Sequence, residues 1–222
     1  MHPNPVFRQE PEARALAFAA ERGFGVLTAA GPEGVLAAHV PFVLEGWTLA
    51  AHLVRSNPLS RLLRAGSAEA LMVVSGPDGY ISPDWYGVEG MVPIWNYVAV
   101  HLRGSLQLTP EEELRPRLER LSDRFESRLA PKPVWKTDKV DAEALAKMMR
   151  QIVPVELAVA SVDSTFKLNQ NRGEAARLNA AAALEVGGTP GQETVALAGL
   201  MRRAREMAET VMPGLRASRR RC

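Results

Sequence analysis

Four short stretches of this 222-residue chain bring together residue types able to hold or act on a ligand. In Ala38-His39-Val40-Pro41-Phe42, the imidazole of His39 can donate to a ligand carbonyl or stand as a satisfied histidine of a strand. In His52-Leu53-Val54-Arg55-Ser56-Asn57-Pro58, a strand end runs into a helix start, where backbone N–H groups favour an anion. Arg55 adds a planar cationic fork suited to phosphate, although Ser56 and Asn57 can equally cap the helix that begins at Pro58. In Trp95-Asn96-Tyr97, strand alternation turns the amide away from both rings, and a buried amide needs a partner, either backbone or ligand. In Phe166-Lys167-Leu168-Asn169-Gln170-Asn171-Arg172, amides and cations follow a strand; they form an Asx-type turn or face a polar heterocycle.

Other chemistries lack their residues. His39, His52 and His101 have no Cys or carboxylate companions at metal-ligand spacing, so no metal site is expected. No G-x-S-x-G elbow, no G-x-G-x-x-G after a strand and no P-loop occur. The single cysteine, Cys222, allows no intrachain disulfide and is not a credible catalytic thiol. An apolar share of 46% with 23% charged residues is that of an ordinary globular chain. No apolar run approaches the ~18 residues of a membrane span, and the N-terminus lacks a secretory pattern, so a cytoplasmic protein is expected. The net charge of +2 conceals a basic second half that ends in Arg202, Arg203, Arg205, Arg216, Arg219, Arg220 and Arg221. Such a tail can reach nucleic-acid phosphates through charge alone; the plainer reading is a solvated helix with a frayed end.

The elements that must position these residues come as strands in runs. Pro11 opens a helix that reaches Arg22, with Ala15, Leu16, Phe18 and Ala19 on its apolar side. Gly25–Ala30, Val35–Leu44 and Thr48–Val54 read as antiparallel strands joined by Gly-containing connections. A short helix over 58–64 and a strand over 70–75 follow, then an irregular aromatic segment over 76–92 and a long strand over 93–108. Thr109 with Glu112 forms the pattern of a capping box before a charged helix. A helix over 141–151, a strand near Val155–Ala160 and a helix over 173–184 complete a main domain of residues 1–185. Gly187–Gly191 reads as a linker to an amphipathic helix over 193–212 and the basic tail, together residues 186–222. Runs of strands, rather than alternation with helices, favour an antiparallel barrel or sandwich with helices outside.

Taken together and in order, these stretches resemble the PaiB family of FMN-binding negative transcriptional regulators. The residues that carry the resemblance are His39-x-Pro41-Phe42, His52-x-x-Arg55-x-Asn57-Pro58, Tyr80-Ile81-Ser82-Pro83-x-Trp85-Tyr86, Val92-Pro93-x-Trp95-Asn96-Tyr97-x-x-Val100-His101 and Lys167-Leu168-x-Gln170-Asn171-Arg172. The resemblance implies an α+β, mainly β fold: an antiparallel split β-barrel with peripheral helices, related to the pyridoxamine-phosphate oxidase type. It also implies a homodimer with FMN at the subunit interface. By position, Arg55 and Asn57, with Ser56, would hold the phosphate. His39, Val40, Pro41, His52 and Val54 would lie along the isoalloxazine and ribityl. Trp95, Asn96, Tyr97, Lys167, Gln170 and Asn171 would complete the pocket. The chain departs from the pattern at Ile94, where Thr is favoured, and at Asn169, where Ser is favoured; both changes remove a hydroxyl. The implied function is a flavin-binding regulator reaching DNA through its basic tail or a partner, and the alternative is a flavin-dependent oxidoreductase of unspecified substrate.

Overall fold

Alternation of large and small apolar residues along six segments builds a closed barrel with strand order β1-β2-β3-β6-β5-β4. The strands are β1 (Phe24–Gly31), β2 (Gly34–Glu45), β3 (Thr48–Val54), β4 (Ala68–Ile81), β5 (Ile94–Leu108) and β6 (Ile152–Lys167). The computed structural model describes residues 1–32 and 34–209, with side chains described to residue 204. The expected tail residues Arg216, Arg219, Arg220, Arg221 and Cys222, and with them the DNA contact read for the tail, lie outside the described residues. Among the described residues no helix is long and apolar enough to cross a membrane.

The chain divides into two compact units. The first, here the barrel unit, comprises Ala15–Val74 and Val100–Val162. Its strand pairs are antiparallel, each in a single register: Leu27 faces Ala38 across β1–β2, Phe42 faces Ala51 across β2–β3, and Leu53 faces Val153 across β3–β6. Period-two alternation sends Leu27, Val40, Phe42, Leu49, Leu53, Met72, Val100, Leu102, Leu106, Val155 and Leu157 into one buried core. Gly104 lets β5 approach β6 closely, because a Cβ there would stand 1.9 Å from the Ala158 carbonyl oxygen. The helices α1 (Glu12–Arg22), α2 (Pro58–Leu62), α3 (Leu114–Glu126) and α4 (Ala142–Met149) accompany these strands. The expected capping box at Thr109 does not form: Glu111–Glu113 make a 3-10 turn after Pro110, α3 starts at Leu114, and the Thr109 hydroxyl is buried without a partner. Asp141 does cap α4, accepting from the Ala144 N–H at 2.9 Å.

The second, terminal unit comprises Met1–Arg14, Ser75–Ala99 and Asp163–Cys222. Here β4 runs on to Ile81, so the segment expected to be irregular from Gly76 is strand for its first third. Gly76, Pro77 and Gly79 read locally as a turn, but all are buried, and a Cβ on Gly79 would press on Leu197 and Leu184. Burial overrides the turn chemistry. α5 (Glu174–Gly187) packs on α6 (Thr194–Glu209), burying Ala180, Ala181, Leu184, Leu197, Ala198 and Met201. Arg177, nearly inaccessible, donates to the carbonyls of Met201 and Arg202, and Arg202 pairs with Glu185. The stretch from 186 onward, expected as linker, helix and tail, thus contributes α6 to this unit.

Candidate functional site

In the barrel unit His39, Pro41, His52 and Val54 lie on the outward face of the strands. Across β4–β1–β2 the row Val73–Val26–His39 is in register, one side-chain step from Phe24 and Pro41. Inward neighbours are buried, so this row faces out. His39 is exposed and stacks on Phe24, with centroids 6.3 Å apart and planes 30° from parallel. Phe24 is 52% and Val35 79% exposed, unusual for large apolar side chains on a strand. Val40 points the other way and belongs to the core, so its contribution to any ligand is limited to backbone. His52, opposite Pro154, and the exposed Val54, opposite Ile152, continue an outward face on β3–β6. Burial of the His52 imidazole disfavours its charged form and lowers its pKa.

Arg55 follows β3 and is already engaged. Its Nε donates to the Arg150 carbonyl at 2.9 Å, and its Nη2 donates to the Glu111 carboxylate at 2.9 Å and the Ile152 carbonyl at 3.3 Å. Asn57 caps α2, accepting from the Leu59 N–H at 2.9 Å, and the Ser56 carbonyl accepts from Arg61 at 2.6 Å. Of the two readings of this stretch, the geometry gives Asn57 the capping role. Glu111 is the neighbour of Arg55 that sequence reasoning missed; it stood in the charged start of a helix, and only the fold brings it to Arg55. A cavity of about 540 Å³ near this pair is lined by Glu111, Arg115, Val140, Leu145, Met149 and Arg150, among others, and by none of the predicted residues.

In the terminal unit Asn96 is fully buried on the same face as Val98, while Trp95 is 45% exposed on the other, as the alternation predicts. Neither the oxygen nor the nitrogen of the Asn96 amide has a partner. Trp95 donates from Nε1 to Asp78 at 3.0 Å and meets Tyr80 edge-on at 6.3 Å. Tyr97 is half-buried on the Trp95 side. Gln170 serves the backbone: its Nε2 donates to the carbonyls of Phe166 and Val6, and its Oε1 accepts from the Leu168 N–H. Asn171 is exposed. Lys167 lies over the Phe7 ring, 6.0 Å from its centroid. Arg172, quoted in the motif but not expected in the site, has a buried Nε without a partner.

The barrel unit thus presents an exposed apolar strand face with an imidazole, and the terminal unit holds a buried amide without a partner. Among the described residues no cluster of His, Cys, Asp and Glu suited to a metal ion occurs.

The fold is shared with solved structures of other proteins. The FAD and heme binding protein from Mycobacterium smegmatis superposes with a TM-score of 0.54 at 17% identity, covering 72% of this chain and 73% of that one. The flavocytochrome Anf3 from Azotobacter vinelandii gives 0.54 at 16% identity, covering 75% and 72%. The antiparallel split-barrel class expected from the sequence is therefore the observed one. Residues 1–161 match the family described as "Putative FMN-binding domain", and the chain belongs to that family. It is 29% identical over 166 residues to protease synthase and sporulation protein PAI 2 from Bacillus subtilis, covering 73% of this chain and 78% of that protein. An uncharacterized protein of Emericella nidulans is 22% identical over 200 residues. FMN is the cofactor this membership assigns.

Proposed function

We propose that the chain is an FMN-binding regulator of the PaiB kind that works as a homodimer, with the flavin at the interface between two copies. One observation carries the two-copy reading: the outward face of β4–β1–β2, where the exposed Phe24–His39 stack stands in an apolar row with Val26, Val73 and Pro41. A strand face this apolar is normally covered, and a planar aromatic tricycle and a second copy are both suited to cover it. His39, Pro41, His52 and Val54 of the barrel unit, and Trp95, Asn96, Tyr97, Lys167 and Asn171 of the terminal unit, are the candidates for flavin contact. Val40 and Gln170 support them through backbone and turn. Bound flavin supplies electron-transfer chemistry of its own; the residues bind, orient and shield it.

The test is direct. The purified chain is expected to quench added FMN fluorescence and to sediment at twice its 24.2 kDa mass. Phe24→Asp, at a position 52% exposed on β1, is expected to give monomers and to weaken FMN by at least about 10-fold, the scale of losing an aromatic anchor. A wild-type monomer that binds FMN fully would remove the interface from the reading. Rapid reduction of the bound flavin by NADH, without any effect on DNA binding, would move the protein to the oxidoreductase alternative.

A further inference from the structure

The cavity of about 540 Å³ in the barrel unit takes its walls from three segments. Leu114 starts α3, Val140 follows the 3-10 turn Thr137–Lys139, and Leu145, Ala146 and Met149 belong to α4. Leu114 is buried, whereas α4 buries none of its eight residues. Leu145 and Met149, one helical turn apart, share a side of that helix and line the cavity. So short a helix is marginal without packing, and its apolar side lacks cover.

Polar contacts fix the walls instead. Arg55 joins two of them, donating to the Glu111 carboxylate and to the Arg150 carbonyl, both at 2.9 Å. Glu119 is a second tie, accepting from Arg115 at 3.1 Å and from the Thr137 hydroxyl at 3.4 Å. These ties match the charges of Glu111 and Arg115. Two charges on the lining remain: the Asp138 carboxylate and the Arg150 guanidinium form no ion pair among the described residues.

We propose that this cavity binds a small zwitterion with an apolar body, its ammonium toward Asp138 and its carboxylate on the Arg150 fork. The body lies against Leu114, Val140, Leu145 and Met149. A ligand with only one charge would leave the other lining charge unmatched, which is how the site selects. The volume is that of small-molecule clefts, roughly 300–1,000 Å³. Apolar amino acids and short apolar peptides share this chemistry. None of the residues expected to touch flavin lines the cavity, so the site stands apart from the flavin reading.

L-Phenylalanine, phenethylamine and phenylpropionate carry one ring with both charges, the ammonium alone and the carboxylate alone. The dipeptide leucyl-phenylalanine separates peptide from amino acid, and the tighter of the two zwitterions names the source. Titration calorimetry on the full chain should show that zwitterion binding at least about 3-fold more tightly than either singly charged compound, the scale of one exposed ion pair. Arg150→Gln should erase its advantage over phenethylamine, and Asp138→Asn its advantage over phenylpropionate. Ala146→Trp, at an exposed position on the lining, should fill the cavity and abolish binding. Binding of neither zwitterion at about 1 mM, equal binding of a singly charged compound, persistence in Ala146→Trp or displacement by FMN overturns the site. A dimer that Ala146→Trp turns into monomers would show a second copy covering α4, and overturns it too. Should Ala146→Trp fail to fold, the other two variants decide: an advantage that survives both removes the site.

Discussion

Arg55 of the barrel unit and Arg172 of the terminal unit carry the same guanidinium in opposite circumstances. Around Arg55 the chain provides a carboxylate and two carbonyls, and the helix start beside it is closed by the Asn57 cap. Around Arg172 the described residues provide no carboxylate at ion-pair distance, and its Nε is buried without a partner. A cation beside a strand end and a short helix is therefore a poor guide to anion binding until its acceptors are counted. An internally matched arginine has its donors spoken for by the chain, whereas the other leaves a buried donor unmatched.

The largest expected effect belongs to the helix start beside Arg55: Asn57→Ala should cost about 1 kcal/mol of stability in urea unfolding through loss of the α2 cap, with flavin affinity intact. A loss of FMN affinity instead would return Asn57 to the binding site.

Smaller still, Glu111→Gln removes the counter-ion of Arg55. The pair is well exposed, so stability should fall by less than about 1 kcal/mol. FMN binding should stay as it was, and tighter binding would restore Arg55 as a phosphate ligand. The slightest effect belongs to His52. Its folded-state pKa is lowered by burial from the ordinary 6.5, so as pH falls the unfolded chain takes up the proton first. Its contribution is whole above about pH 6.5 and declines below it. His52→Gln should flatten the dependence of stability on pH below about pH 6.5, without moving the neutral value much; an unaltered slope would assign the acid sensitivity elsewhere.

Much of this was legible in the residues. The strands over 24–54 and the first helix stood where apolar alternation and Gly punctuation set them, because both signals are local. The division of Asn96 from Trp95 and Tyr97 followed from the pleat alone. Thr109 and Gly76–Gly79 misled for a shared reason: each carries the chemistry of a cap or turn, and each is claimed by a residue distant in the chain, the Thr109 N–H by the Pro154 carbonyl and Gly79 by Leu184 and Leu197. The matching of Arg55 by Glu111 was beyond sequence reading, since 56 positions separate them and only tertiary structure joins them. The same holds for the solitude of Arg172, which is a property of what the fold leaves out of its surroundings.

The place of β6 between β3 and β5 has a consequence for the chain during its synthesis. Ala51 cannot meet Val155 until roughly 100 further residues have left the ribosome, which at about 5–20 residues per second leaves the β3 edge bare for roughly 5–20 seconds. For that interval the nascent protein carries an open ladder, a hazard for pairing between neighbouring chains on one messenger. Closure of the barrel is therefore a late event, and substitutions in β6 should show first in the yield of soluble protein.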